Sequence, residues 1–559
     1  MKSLLSKLKD RFLPNEPAPP APAASVQETR LPAEEWKQKG NDALAAGDLR
    51  RAEECYRQAL RERPGYAEAM VNLGVVLSAQ GRMLDAESAF RDAVDANAGL
   101  WQAAYHLALM LQEQGKKEES KRLMRQACGL NPSLHELRWR LGTMEMLDQR
   151  WLEAIQALEH ARTLEPDHAE VLSNLGGCLM KLGRHEEAYA VIRQALAQRE
   201  IAESHLLAGV ISEELRREEQ AMQHYQDAVR LDPQSHTAHY QLSYLALARG
   251  DYRNGFAHFE HRFQAATNMP GLAKGQALIA QLGAARHWTG QDLRGKTLLV
   301  VTEQGLGDSI MMMRYLPLLK ERFGTKAVLV RCEAPLLSMF RALPGVDAAH
   351  AEAEPLPPAA FDLFCMTMSL PQRFGSVAGT IPEAPYLRIP EALRARWNDR
   401  MAGVSGLKVG LAWAGNKLLE KDAIRSMSLD MLAPLFALDG VSWFSLQKGE
   451  PAAQLQGSVH PVIDWMDDCN DLLDTASLIS HLDLVLSVDT AVAHLAGATG
   501  CRTWLMNRYD TEWRWLLSGD TSPWYGGMTI IRQPARGDWQ GVVERIGDAL
   551  PSLIEKAEA

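Results

Sequence analysis

From Ala33 onward, small residues return to one position about every 34 residues: Gly40, Gly74, Ala108, Gly142 and Gly176. Three more columns keep the same period. They are Ala52, Ala86, Ser120, Ala154 and Ala188; then Tyr56, Phe90, Met124, Leu158 and Ile192; then Ala59, Ala93, Ala127, Ala161 and Ala195. Small residues at fixed helical positions let two helices approach closely, and the large residue fills the gap between neighbours. Units of this kind cannot bury their apolar faces alone, so the chain must stack them into a helical solenoid. Pro64, Pro132, Pro166 and Pro233 end successive second helices, because proline lacks the amide and clashes with the preceding turn. A sixth unit is slightly shifted, with Gly209, Ala221, Tyr225 and Ala228. A weaker seventh, residues 236–263, keeps Tyr252, Phe256 and Phe259 and reads as a cap onto the next domain. Trp101, Trp139 and Trp151 read as packing between helices in preference to ligand contacts.

At 559 residues the chain is too long for one core. Its 46% hydrophobic and 23% charged residues are those of a globular protein. A formal charge of -10 without a long Lys/Arg cluster argues against a nucleic-acid partner, whose phosphates would have to be neutralised. Seven scattered cysteines give neither zinc spacing nor a disulfide framework. No apolar run reaches the roughly 18 residues of a membrane span, and the N-terminus lacks a signal-peptide core. A cytoplasmic location is the expectation. Leu4, Leu5, Leu8 and Phe12 share one helical face beside Lys2, Lys7, Lys9 and Arg11, which reads as a solvated end more readily than a membrane-surface contact. Residues 14–24 are a Pro/Ala-rich linker.

After Trp288 the pattern changes to short apolar runs separated by helical segments: 297–301, 327–330 and 361–364, then 408–413, 441–446 and 482–488. This alternation predicts two parallel α/β lobes. The first run enters Glu303-Gln304-Gly305-Leu306-Gly307-Asp308 ahead of a helix, which exposes amides in the crevice at the carboxyl edge of a sheet. Alone this turn is weak evidence: Gly305 and Gly307 can serve only the turn and Asp308 only the cap, or Asp308 can take a proton from an acceptor hydroxyl. The last run delivers Asp489-Thr490 into a helix carrying His494, which is either simple capping with a packed histidine or a diphosphate site. Asp467, Asp468 and Asp471 read as a solvated acidic turn, since their order matches no metal loop. His258 and His261 have no further ligand nearby in sequence, so zinc is not expected. Neither a Gly-x-Ser-x-Gly elbow nor a phosphate loop occurs.

The repeat columns resemble the tetratricopeptide repeat. The segments 303–308, 410–416, Arg425-Ser426, 445–449, 489–497, Trp513-Arg514-Trp515 and Ser522-Pro523-Trp524-Tyr525 come in the order of a bacterial family. Together they resemble tetratricopeptide-repeat proteins with a heptosyltransferase-like, family nine type glycosyltransferase domain, over Ala33 to Leu550. The resemblance implies a GT-B arrangement, with an acceptor lobe followed by a nucleotide-sugar lobe. Asp308 matches the proposed catalytic base. Asp489, Thr490 and His494 match the donor-binding Asp-Thr-Gly-x-x-His pattern, with Ala491 in place of the glycine. Arg425 and Ser426 match an Arg-Ser pair able to neutralise a departing nucleotide, and Asn416 and Gln447 fall in the matched donor segments. Leu419 and Lys421 stand where the family often has histidine and asparagine, and Gly526-Gly527 replaces a Pro-Thr-like pair. Lys417 and Lys421 read equally as phosphate-binding charge or as solvated lysines.

The expected fold class is therefore α + α/β, a helical tetratricopeptide solenoid followed by GT-B-like paired Rossmann-type lobes. The expected division is 1–32 for the terminal segment and linker, 33–268 for the repeats, 269–295 for a connector, 296–400 for the acceptor lobe and 401–559 for the donor lobe. The expected activity is metal-independent transfer from a nucleotide sugar, with no other cofactor, to a protein held in the repeat groove. A flagellin-like surface protein is the acceptor that the resemblance suggests. The alternatives are a lipopolysaccharide or glycan transferase, and a non-catalytic scaffold or chaperone that keeps a sugar-nucleotide fold.

Overall fold

The computed structural model describes residues 31–265, 270–417 and 422–558. The amphipathic N-terminal segment, the linker at 14–24, Leu419 and Lys421 lie outside the described residues. The chain forms two compact units, Met1–His224 and Tyr225–Ala559.

The first unit is a run of helical hairpins. Its first helices are Ala33–Ala45, Ala67–Ala79, Trp101–Glu113, His135–Leu147, Ala169–Lys181 and Ala202–Glu214. Their partners are Leu49–Glu62, Met83–Ala96, Lys117–Leu130, Trp151–Leu164 and His185–Gln198. The repeat columns are the packing seams of these pairs. A Cβ on Gly40 would stand 2.5 Å from the Tyr56 ring, one on Gly74 2.5 Å from Phe90, and one on Gly142 2.7 Å from Leu158. Each large partner is buried, which contributes roughly 1.5–3 kcal/mol per side chain against exposure. Between the two helices the chain needs one left-handed residue, and Gly47, Gly81, Gly115 and Gly183 supply it with φ of 75–81°. Gln149 occupies the same place in the fourth hairpin with φ 59°. Trp101, Trp139 and Trp151 are partly buried against the helical core, in keeping with a packing role.

The second unit includes the weak seventh hairpin, His236–Ala248 with Tyr252–Phe259. It does not continue a regular seam; its aromatic face packs onto the sheets, with Tyr252 5.4 Å from Trp524 and Phe256 5.8 Å from Trp513 between ring centres. The boundary between the compact units falls at 224/225, within the helix Glu218–Leu231 of the sixth hairpin. Within this unit Arg262, fully buried, ties the end of the seventh hairpin to the turn after Val301 by donating 2.7 and 3.1 Å hydrogen bonds to the two oxygens of Glu303.

Two wholly parallel sheets complete the unit. The first contains β1 Thr297–Val301, β2 Ala327–Cys332, β3 Ala348–Ala351 and β4 Leu363–Met366, in the order β3-β2-β1-β4. The second contains β5 Leu407–Ala412, β6 Val441–Ser445, β7 Val462–Ile463, β8 Leu484–Val488, β9 Thr503–Asn507 and β10 Met528–Arg532, in the order β7-β6-β5-β8-β9-β10. Strands covered on both faces carry continuous apolar runs, and all five residues of β8 are buried. Strand order reverses between β1 and β4 and between β5 and β8, which opens a crevice at the carboxyl ends of each pair. Among the described residues no helix is long and apolar enough to cross a membrane.

Candidate functional site

At the carboxyl end of β1 the chain turns through Gln304 at φ 61° into the helix Leu306–Met312. Asp308 turns back on this turn: its Oδ2 accepts from the Gly305 amide at 3.1 Å. Its Oδ1 accepts from the guanidinium of Arg514, at 3.0 Å from Nε and closely from Nη2. Asp308 is buried and both of its oxygens have donors, two on Oδ1 and one on Oδ2. Gly307 is small for a separate reason, because a Cβ there would lie 2.6 Å from Cδ2 of His494.

His494 lies on the helix Ala491–Thr499 that succeeds β8. Its Nδ1 is 3.0 Å from the Tyr525 hydroxyl, and its ring centre is 5.1 Å from that of Trp515. Burial, reinforced by the charges of Arg514 and Arg314, pushes its pKa well below 6.5, so it is a neutral imidazole. Asp489, also buried, is pushed the opposite way for an acid: burial and then the Glu512 carboxylate raise it, against the pull of Arg514 and Arg508. Burial by itself lowers the Arg514 guanidinium, but the carboxylates of Asp308, Glu512 and Asp489 reverse this and raise it. Arg514 is therefore the hub joining Asp308 to the Asp489 edge. Thr490 does not cap the helix with its side chain, whose Oγ1 lies 3.2 Å from Ser487 Oγ, so the helix start keeps amides without a side-chain cap.

The residues after β5 that the resemblance assigns to a donor divide in two. Ser426 Oγ accepts from the Gly415 amide at 2.9 Å, and Arg425 Nε donates to Asp422 at 3.0 Å. These side chains shape the loop that runs through Asn416. Gln447 is committed to the backbone: Oε1 accepts from the amides of Trp413 and Ala414 at 3.0 Å each, and Nε2 donates to the carbonyls of Ala414 and Lys448. It is a buried staple between β5 and β6 with no polar atom left over for a ligand. Lys417 pairs with Glu450 at 2.5 Å, and both are exposed. Because β5 and β8 pair directly, the loop from Trp413 to Asn416 and the residues Asp489 and Thr490 leave neighbouring strands at one edge.

Sequence reasoning missed the partners that complete these groups. Arg514 stood inside a matched segment without a role, and Arg508 and Glu512 were not singled out. His258 and His261 do have neighbours: His239 Nδ1 is 2.7 Å from His258 Nδ1, and His236 Nδ1 is 2.9 Å from His261 Nδ1. The expectation that nothing lay near them considered sequence neighbours alone, and antiparallel pairing of two helices supplied the rest. Among the described residues one group brings metal-type ligand atoms within 4.8 Å of one another, His135, Glu165 and His168. His168 Nδ1 also accepts from the Val171 amide at 3.3 Å as a helix cap. The acidic turn is structural: Asp471 caps the helix Leu472–Ile479, and Asp468 pairs with Arg400 at 2.6 Å.

In the first unit a concavity of about 470 Å3 lies along the first helices of successive hairpins, lined by Ser173, Asn174, Gly177, Arg199, Glu203 and Leu207 among others. Ser173 and Ser204 meet at 2.6 Å across two of these helices, and Arg199 pairs with Glu170 at 3.1 Å.

Models of the tetratricopeptide repeat match residues 37–100, 102–134, 145–205 and 202–235. The first unit is built of tetratricopeptide repeats. Protein FlbA of Caulobacter vibrioides is 26% identical over 436 residues, covering 69% of this chain and 73% of that protein. A likeness covering that share exceeds the repeats and runs into the sheets. Among solved structures, PilF of Pseudomonas aeruginosa is 20% identical, covering 36% of this chain and 92% of its own, with a TM-score of 0.33. A tetratricopeptide repeat protein from Parabacteroides merdae is 16% identical, covering 44% and 98%, with a TM-score of 0.36.

Proposed function

We propose that the chain is a glycosyltransferase that uses a nucleotide sugar, with a GT-B-like pair of lobes, and that its repeats recruit a protein acceptor. The observation that carries this reading is the β5/β8 switch point. There the helix start at Thr490 offers amides without a side-chain cap, beside the loop that Ser426 and Arg425 hold, and a diphosphate suits both. Asp308 serves as the base that accepts the proton of the acceptor hydroxyl. Arg514 and the helix start then stabilise the leaving nucleotide. A surface protein such as flagellin is the acceptor class we favour, from resemblance alone.

Intact-mass analysis of an acceptor protein incubated with the enzyme and a panel of nucleotide sugars tests this directly. The expected outcome is one added glycosyl mass with wild type, and a loss of about 100-fold or more in rate for a folded Asp308→Asn variant. Full activity of that variant would remove Asp308 as the base. Asn174→Ala and Arg199→Ala alter the repeat groove of the first unit. They should weaken transfer to protein while donor hydrolysis continues; equal transfer would favour a glycan acceptor. The engagement of both Asp308 oxygens specifically favours the rival reading of a scaffold, which a folded protein that binds no nucleotide would support.

A further inference from the structure

At the carboxyl ends of β9 and β10, beyond the paired residues Asn507 and Arg532, two buried side chains enter one cavity of about 250 Å3. Arg508 is 4% exposed and donates from Nη2 to Glu512 at 2.8 Å, while its Nε and Nη1 have no partner among the described residues. Gln533 is also 4% exposed. Its Oε1 accepts from the amides of Tyr509 and Gly537 at 3.1 and 3.0 Å, which fixes the side chain and turns Nε2, likewise without a partner among the described residues, into the cavity wall. Buried donors are ordinarily satisfied, and an unmet donor on a charged group is the costliest kind. Three N–H bearing atoms on these two lining residues thus have no acceptor among the described residues. Such a set fits an acceptor-only group; Nε and Nη1 lie on different edges of the guanidinium, so each offers a single hydrogen bond to an oxygen. Ile424, Met431 and Tyr509, 41–48% exposed, add an apolar rim to the same cavity. Ser426 of the proposed donor loop also lines this cavity, and Arg508 acts on Asp489, so the cavity borders the proposed donor site.

We propose that this cavity is an oxyanion site, which takes the phosphate or carboxylate of a small molecule whose apolar face lies on Tyr509, Ile424 and Met431. The volume accommodates one anionic group with a small body and not a whole nucleotide sugar. The anion belongs either to part of the donor or to a separate small effector. Calorimetric titration of the full chain with inorganic phosphate, and separately with benzoate, tests the site. Gln533→Glu keeps the oxygen that holds Tyr509 and Gly537 but puts a second oxygen where Nε2 stood; Arg508→Lys keeps a cation able to pair with Glu512 but loses Nε and Nη1. Wild type should bind at least one of the two probes, and each variant, with an unchanged melting temperature, should bind it about tenfold or more weakly. Binding of neither probe by wild type, or undiminished binding by both variants, overturns the proposal. If the site is confirmed, displacement of the probe by a nucleoside diphosphate assigns the anion to the donor, and simultaneous binding of both assigns it to a separate molecule.

Discussion

Arg514 faces Asp308, Glu512 and Asp489 at once. Removing one partner of a buried ion pair leaves the others uncompensated, so Arg514→Gln should destabilise by about 3–5 kcal/mol, read as a lowered urea midpoint of the second unit. Asp489 gives a signed pH effect. Its carboxyl is raised above the ordinary 3.8, so the folded protein holds a proton that the unfolded chain releases, and stability falls as pH rises from 3.8 through the raised value. Asp489→Asn, which stays neutral throughout, should gain stability over wild type at pH 7 and lose that advantage as pH falls toward 4. An advantage unchanged between pH 7 and 4 would contradict the assignment. These contacts could not be read from the sequence, because Asp308 and Arg514 are 206 residues apart and only the two sheets bring them together. The pattern around Asp489 and His494 was visible as a strand running into a helix. The neutrality of His494 was not, because it depends on Tyr525, Trp515 and the two arginines around it.

At the scale of elements, the repeat seam was legible because each column has one steric task. Gly74→Ala should place a methyl 2.5 Å from Phe90 and destabilise the first unit by about 1–3 kcal/mol in thermal unfolding. The hairpin turns were less legible. Glycine marks the left-handed residue in most units, but Gln149 fills that role with φ 59° and hides the column. Gln149→Gly should therefore stabilise by about 1 kcal/mol, where the same change in a helix would destabilise. The seventh hairpin shows why a degenerate repeat loses its pattern. Tyr252 and Phe256 face tryptophans of the sheet lobes, not another hairpin, so the 34-residue spacing no longer governs them. Gln447 was placed among donor residues by its segment, yet four backbone hydrogen bonds consume it, and residue type alone does not reveal such bonds.

In both units, partly buried imidazoles bias stability toward neutral pH. Burial lowers His106 to about 4, and burial with the facing histidines 239, 236 and 258 lowers His261 to about 4. The unfolded chain protonates such groups below about 6.5, so unfolding takes up protons and stability falls as pH drops from 6.5 toward 4. Melting temperatures across that window should decline for both units, since His106 lies in one and His261 in the other. The proposed division of labour between units, recruitment by repeats and transfer by sheets, depends above all on whether the β5/β8 edge holds a nucleotide. The decisive measurement is calorimetric titration of nucleoside diphosphates into wild type and Ala491→Pro. Proline at the first helical position is tolerated, and Thr490 already has the extended backbone that must precede it, so the variant removes one amide and little else. The account expects one nucleoside diphosphate to bind wild type at one site and the folded variant to bind it about tenfold more weakly. No binding by wild type to any of them would contradict a sugar-nucleotide transferase.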